Sequence, residues 1–161
     1  MIKKIILSLA IFSSVVSADL FQKGDTAVGV VVGSGSMGSE NYLILGVSGE
    51  YFAMNGLNIG IGYRGWFGGD PTQNQITLST NYYLPITKKF HPYIGVFGRE
   101  TFVEDYDNRT SYGGRAGLAV SMSSNTYISV GWAYEEYMDC TETRITECST
   151  NYPEVVFSLS F

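Results

Sequence analysis

Apolar and polar residues alternate along the last part of this chain, and this period constrains its fold more than any other feature. In residues 153–161 one parity is apolar and carries Val155, Phe157, Leu159 and Phe161. The other parity carries Glu154, Val156, Ser158 and Ser160, of which only Val156 is apolar. Successive side chains of a β-strand point to opposite faces, so this segment predicts a strand with one apolar and one polar face. Such a strand needs lipid or a second apolar layer against its apolar face.

The same alternation recurs along the chain in segments of about ten residues. We place eight strands at Asp25–Gly33, Asn41–Ala53, Leu57–Phe67, Ile76–Leu84, Pro92–Phe102, Tyr112–Met122, Thr126–Tyr137 and Tyr152–Phe161. Short turns alternate with long polar loops, which are Ser34–Glu40, Gly68–Gln75, Val103–Ser111 and Met138–Asn151. This layout predicts an all-β fold, an eight-stranded antiparallel up-and-down barrel that is closed by pairing of the last strand with Asp25–Gly33.

Alternation alone does not say which face of the barrel meets water, because a soluble barrel shows the same period with its apolar face inside. A polar parity that faced bulk water would be rich in Lys and Glu. Instead it holds small or neutral residues such as Gly60, Gly62, Ser79 and Asn81, and no lysine lies inside any of the eight segments. Charged residues make up 16% of the chain, whereas an average soluble domain has about 25%. We therefore predict a transmembrane barrel with the apolar parity facing lipid and small polar residues filling a narrow interior.

The start of the chain has the three parts of a secretory signal peptide. Lys3 and Lys4 supply the positive region, the apolar run Ile5–Val16 follows, and Val16-Ser17-Ala18 offers small residues for cleavage before Asp19. The alternative is a transmembrane anchor, but the apolar run is shorter than the ~20 residues that a spanning helix needs. We expect residues 1–18 to be removed and residues 19–161 to form one barrel domain.

Six charged residues share the polar parity and are therefore predicted to point into the barrel: Glu50, Arg64, Arg99, Arg115, Glu135 and Glu154. An unpaired ion in such a confined interior is costly. We therefore predict a network of ion pairs and hydrogen bonds, centred on Arg115, Glu135 and Glu154, that plugs the bore. The alternative is a gate in a small conducting pore. Eight strands leave little room for an aqueous channel, which favours the plug.

The last loop contains both cysteines of the chain, Cys140 and Cys148. An exported protein meets an oxidising compartment, so we predict a disulfide between them. The alternative is two free thiols.

Acidic residues are concentrated in the long loops, whereas the lysines after the signal peptide (Lys23, Lys88 and Lys89) lie at the short-turn end. The loop acids are Glu40, Asp70, Glu104, Asp105, Asp107, Asp139, Glu142 and Glu147. Such a rim either is a solvated face or holds divalent cations that bridge to lipopolysaccharide phosphates. No loop has a metal-ligand spacing such as that of an EF-hand, so we predict a solvated rim without a metal or cofactor.

Two patterns resemble ligand-binding or catalytic motifs but lack the necessary context. Residues 33–38 match the glycine pattern of dinucleotide-binding loops, yet a strand rather than a helix is predicted to follow. His91 is the single histidine, and it lies at the short-turn end, opposite to where a hydrolase triad at the outer rim would need it. A net charge of −5 argues against a nucleic-acid partner. We predict that the protein is not an enzyme and binds no nucleic acid.

In layout, parity and closing strand, the chain resembles the small outer-membrane β-barrels of Gram-negative bacteria, the family of the OmpA N-terminal domain and OmpX. The resemblance implies a monomer in the outer membrane, in contact with its lipid and lipopolysaccharide. It also implies insertion by the barrel assembly machinery, with Phe157, Leu159 and Phe161 carrying the assembly signal. The implied roles are envelope integrity and adhesion, through contacts of the loops with a host or surface ligand. The alternative role is porin-like transport of small solutes or hydrophobic molecules.

Overall fold

The computed structural model describes residues 20–37, 40–69, 72–104, 107–138 and 148–161. Within these ranges lie eight strands: β1 (Thr26–Met37), β2 (Glu40–Met54), β3 (Leu57–Phe67), β4 (Gln73–Tyr83), β5 (Phe90–Val103), β6 (Arg109–Ser121), β7 (Thr126–Tyr137) and β8 (Ser149–Ser160). Neighbouring strands pair antiparallel, and β8 pairs with β1 to close the barrel. The predicted all-β, eight-stranded, up-and-down barrel is confirmed. These ranges contain no helix long and apolar enough to cross a membrane.

The predicted signal peptide, residues 1–18, lies outside the described residues. The division of the chain into a signal peptide and a barrel domain of residues 19–161 therefore stays a prediction. The described part of the chain begins at Leu20, just before the barrel wall.

The seam between β1 and β8 completes the barrel wall. Ala27–Gly33 pair with Glu154–Ser160, and Thr26 and Phe161 then exchange two backbone hydrogen bonds of 2.7 and 3.2 Å. The predicted pairing of the last strand with the first, residues 25–33, is confirmed. Closure gives each strand two neighbours, which a sheet surrounded by hydrocarbon requires because no water can satisfy a free edge.

Several strands are longer than the apolar alternation predicted. β1 reaches Met37, β4 begins at Gln73, β6 at Arg109 and β8 at Ser149. The predicted bounds of the four long loops (34–40, 68–75, 103–111 and 138–151) are therefore wrong, because each includes residues that belong to a strand. The backbone ladder does not need apolar side chains, so the strands continue past the apolar band. The bounds of β3 and β7 agree with the prediction.

The outer wall carries the apolar parity. Val30, Leu78 and Ile94 are 48, 62 and 61% exposed, and their neighbours along the strands point inward and are buried or half-buried. Large apolar side chains are exposed in this way on all eight strands. Such a belt is far larger than the apolar patches of soluble monomers and is what a membrane barrel presents to lipid.

Candidate functional site

The inner wall is the candidate site, because it gathers the charged and polar side chains of the barrel. Arg64, Arg99, Glu135 and Glu154 are each no more than 4% exposed. Glu50 and Arg115 are bonded to buried asparagines of the lumen. The structure thus places all six residues predicted for the lumen on the inner wall.

Glu154 on β8 is the centre of the larger group of charges. One of its carboxylate oxygens lies 2.6 Å from Nη2 of Arg64 on β3, across the bore. The other oxygen lies 2.8 Å from Nη1 of Arg115 on β6. One carboxylate therefore pairs with guanidinium groups from two different strands, in charge-assisted hydrogen bonds that are strong and directional.

Arg99 and Glu135 form a second ion pair nearer the long-loop end. Nη1 of Arg99 donates to the Tyr152 hydroxyl at 2.6 Å, and that hydroxyl donates to Glu135 at 3.1 Å. The Ser111 hydroxyl donates to the other Glu135 oxygen at 2.5 Å, and Nε of Arg99 donates to Thr77 at 2.9 Å. Every charged group of this pair is thus satisfied by at least one neutral partner as well, which a buried ion pair requires.

The pairing differs from the predicted centre at Arg115, Glu135 and Glu154. Arg115 binds Glu154, as expected, but the partner of Glu135 is Arg99 on β5, two strands away. The reason is that the barrel tilts its strands, and this tilt decides which inward side chains of different strands lie at the same height.

Glu50 joins the network through two asparagines that the sequence reading did not single out as network residues. Its carboxylate accepts hydrogen bonds from Asn58 Nδ2 and from the Tyr127 hydroxyl. Asn58 Oδ1 accepts from Asn81 Nδ2 at 2.9 Å, and Asn81 Oδ1 accepts from Nε of Arg115 at 2.8 Å. The inward parity of both asparagines is the signal that would have identified them. These six charges number three of each sign, so they balance one another.

Aromatic side chains line the bore on both sides of this network. The cluster at the short-turn end contains Phe21, Phe52, Tyr83, Tyr93 and Tyr127, and the one at the long-loop end contains Tyr42, Ile44 and Trp66. The prediction of a mostly small inner parity missed these rings, although the parity of every one except Phe21, which precedes β1, marks them as inward.

Inward glycines make room for the rings. Gly117 and Gly131 pair directly across β6 and β7, and the Tyr93 ring lies over both of them. A Cβ atom at Gly131 would lie 2.3 Å from the Tyr93 hydroxyl and 2.8 Å from the Ala116 carbonyl oxygen. The abundance of glycine on the inner parity is therefore explained by close packing against large side chains of neighbouring strands.

We expect Gly131→Ala to destabilise the barrel by about 1–3 kcal/mol, the usual cost of overpacking. The matched control is Gly49→Ala on the outer wall, where an added Cβ meets nothing within 4 Å. The free energy of unfolding is measured by urea titration in lipid vesicles. Equal stability of the two variants would contradict the packing of Tyr93 on Gly131.

Two small cavities of about 20 and 10 Å³ lie beside Glu50 and Arg115. A cavity needs roughly 10–15 Å³ to hold one water molecule. The cavities within the network are therefore large enough for single water molecules but too small for a solute channel.

Other predicted site residues lie outside the lumen. Cys148 is disulfide-bonded, whereas Cys140 lies outside the described residues, so their pairing stays a prediction. The loop acids Asp70, Asp105, Asp139, Glu142 and Glu147 also fall outside the described ranges. The described residues contain no group of three or more His, Cys, Asp and Glu side chains that could hold a metal ion. Phe157, Leu159 and Phe161 face outward and are 45, 40 and 59% exposed, and their role in assembly stays a prediction.

No protein-family model and no curated protein matches the chain. Among solved structures, the N-terminal β-barrel domain of Pseudomonas aeruginosa OprF superposes with a TM-score of 0.69 at 12% identity, covering 86% of this chain and 98% of that one. Neisserial surface protein A (NspA) superposes with a TM-score of 0.60 at 14% identity, covering 85% of this chain and 95% of that one. A de novo designed transmembrane β-barrel has a TM-score of 0.61 at 15% identity, covering 87% of this chain and 98% of that one. At these identities the likeness shows a shared fold.

Proposed function

We propose that this chain, which has the fold of the small eight-stranded outer-membrane β-barrels, is a non-enzymatic outer-membrane protein with a closed lumen. The observation that carries the proposal is the order of three layers along the bore: an aromatic cluster, the charged network, and a second cluster with Tyr42 and Trp66. A bore filled in this way does not pass solutes. The protein then acts through its outer wall and its loops.

The apolar side chains of the outer wall support a location in the outer membrane. Its apolar belt suits the hydrocarbon layer, and exposed aromatic side chains such as Tyr51, Phe67 and Tyr82 suit the two interfaces. The partners we infer there are membrane lipid, lipopolysaccharide in the outer leaflet, and the assembly machinery during insertion. A closed barrel buries its polar groups within one chain, which supports a monomer.

The long loops are the surface through which we infer contact with a host or surface ligand. Strands that continue past the apolar belt hold these loops away from the membrane. Glu40, Glu104 and Asp107 are exposed there, and Glu104 accepts a hydrogen bond of 2.7 Å from Thr72. One of the similar structures is named as a surface protein. An acidic, rigidly supported rim suits a basic partner surface.

The test compares bacteria that express three forms of the protein. In the first variant the loop acids are neutralised (Glu40→Gln, Glu104→Gln and Asp107→Asn). In the control the lysines of the opposite end are neutralised (Lys88→Gln and Lys89→Gln). We expect adherence to host cells and matrix to fall severalfold in the loop variant and to stay unchanged in the control.

A deletion strain separates the two roles within the proposal. A more permeable envelope with normal adherence supports envelope integrity, and lost adherence with a normal envelope supports adhesion. If neither changes, both roles are contradicted. Large, reproducible single-channel steps in planar bilayers would instead support the alternative, transport of small solutes.

A further inference from the structure

Five residues that precede the barrel wall, Leu20–Gly24, fold back over its mouth at the short-turn end. We name them the N-terminal strap. The strap inserts Phe21 into the bore, where it is only 4% exposed. The strap is not part of any strand, so this end of the lumen is covered by a segment that does not belong to the wall.

Phe21 is the central ring of the aromatic cluster at that end. It stacks on Tyr83, with ring centroids 4.5 Å apart and an interplanar angle of 15°. Its edge contacts are Tyr127 at 4.8 Å and Phe52 at 5.6 Å, and His91 lies 4.6 Å away on the mouth side. Removing this one side chain would leave a gap in the middle of the cluster.

The backbone of Phe21 is strained. Its φ of +70° makes it the one non-glycine residue with positive φ in the described part of the chain. A bulky residue adopts this conformation rarely, and the surroundings must hold it there. The Phe21 carbonyl accepts a hydrogen bond of 2.8 Å from the Gly56 N–H, and the Lys23 N–H donates to Asn55 Oδ1 at 2.9 Å. The strap is thus docked on the Asn55-Gly56 turn by these two bonds, and on β2 by a bond of 2.8 Å from the Gly24 N–H to the Phe52 carbonyl.

The stacked pair of Phe21 and Tyr83 lies between two spaces. Outside it, a bowl of about 520 Å³ opens at the short-turn end, and Phe21 and Tyr83 line it. Inside it, the cavity of about 10 Å³ is lined by Tyr83 again and by Glu50, Arg115 and Ser129. Tyr83 lines both spaces and Phe21 lines only the outer one, so Phe21, stacked on Tyr83, covers the ring that separates the open bowl from the charged network.

We propose that the N-terminal strap is a removable stopper, which closes the short-turn mouth of the lumen and controls the access of water and small polar molecules to the network. The wall itself is a continuous hydrogen-bonded ladder and cannot open locally at a comparable cost. The strap is held by few bonds and carries a strained residue, so it is the element that opens first. The inference rests on the proposed closed lumen and adds how one of its ends is closed.

The test uses a cysteine inside the lumen as a reporter of access. Ser129→Cys changes a side chain that is 3% exposed and lines the inner cavity. The full-length protein is folded in lipid vesicles and treated with a small methanethiosulfonate reagent, and the labelling rate is followed by mass spectrometry. Cys148 is disulfide-bonded, and protein that keeps Ser129 corrects for any background.

We expect Phe21→Ala in the Ser129→Cys background to raise the labelling rate by about tenfold or more, because the closing ring is gone. Phe90→Ala is the matched control, since Phe90 lies at the same end but is 45% exposed on the outer wall. Asn55→Ala removes the acceptor of the Lys23 N–H and leaves every ring in place, so a smaller increase is expected. Folding is checked by the heat-dependent mobility shift of the barrel.

An unchanged rate in folded Phe21→Ala protein would overturn the stopper. If that variant does not fold, an unchanged rate in Asn55→Ala protein would overturn it in the same way. Fast labelling in the parent Ser129→Cys protein would instead contradict the closed lumen, so the failure of the proposed function is distinguished from the failure of this inference.

Discussion

Replacement of Glu154 with alanine is expected to destabilise the barrel strongly. The Glu154 carboxylate lies 2.6 Å from the Arg64 guanidinium and 2.8 Å from the Arg115 guanidinium. Alanine at this position leaves both guanidinium groups in the lumen without their carboxylate partner. Removing one partner of a buried ion pair costs about 3–5 kcal/mol, because the remaining charge is left uncompensated. We expect a loss of this size in the free energy of unfolding, measured by urea titration in lipid vesicles with tryptophan fluorescence as the signal.

Two further variants define the cause of this loss. Glu40→Ala removes an exposed carboxylate at the start of β2, and its effect is expected within about 0.5 kcal/mol of zero. A quadruple variant, Glu154→Leu and Glu50→Gln with Arg64→Met and Arg115→Met, is expected to recover most of the stability, because Glu50 is neutralised together with the other three charges and no buried charge is left unpaired. A loss below about 1 kcal/mol for Glu154→Ala would mean that the arginines stay hydrated, which contradicts a closed lumen.

Deletion of Phe161 is expected to lower the amount of protein inserted in the outer membrane severalfold, with export less affected. The deletion removes the two backbone hydrogen bonds to Thr26 that extend the seam. It also removes a ring that is 59% exposed on the outer wall and suits the membrane interface. Insertion is measured by membrane fractionation and the heat-dependent mobility shift, and export by removal of the predicted signal peptide.

Phe161→Ala keeps the backbone bonds and loses the ring, so it separates the two contributions. Phe90→Ala removes another exposed aromatic side chain at the same end and is expected to insert normally. Normal insertion of protein that lacks Phe161 would count against its role as an assembly signal and against the importance of the seam.

The strands could be predicted because each one repeats the same two-residue period. All eight were placed, and β3 and β7 had the correct bounds. The ends of β1, β4, β6 and β8 were wrong because the apolar period stops at the edge of the belt, whereas the hydrogen-bond ladder continues beyond it. A pattern of side chains reports where the wall is apolar, and not where the backbone stops pairing.

The charged residues of the lumen could be predicted, but their hydrogen-bond and ion-pair partners could not. Parity alone identified the six charged residues of the inner wall, because side chains alternate between the two faces of a strand. It did not show that Glu135 binds Arg99 or that Glu50 reaches Arg115 through Asn58 and Asn81. Apart from Glu50–Asn58, these contacts join residues that are 23 to 36 positions apart, and all of them depend on the height of each residue along the barrel axis.

By itself, then, the sequence determined the number of strands, the direction of each side chain and the sign of the charges inside, because a period of two is a local property of the chain. The tertiary structure decided which charged residues form ion pairs, which glycines pack against an aromatic ring, and that Phe21 closes one mouth of the lumen. These features arise only when the sheet closes and its tilt sets the height of every side chain. Phe21 precedes the first strand, so no alternation marks it, and its position in the bore follows only from the folded barrel.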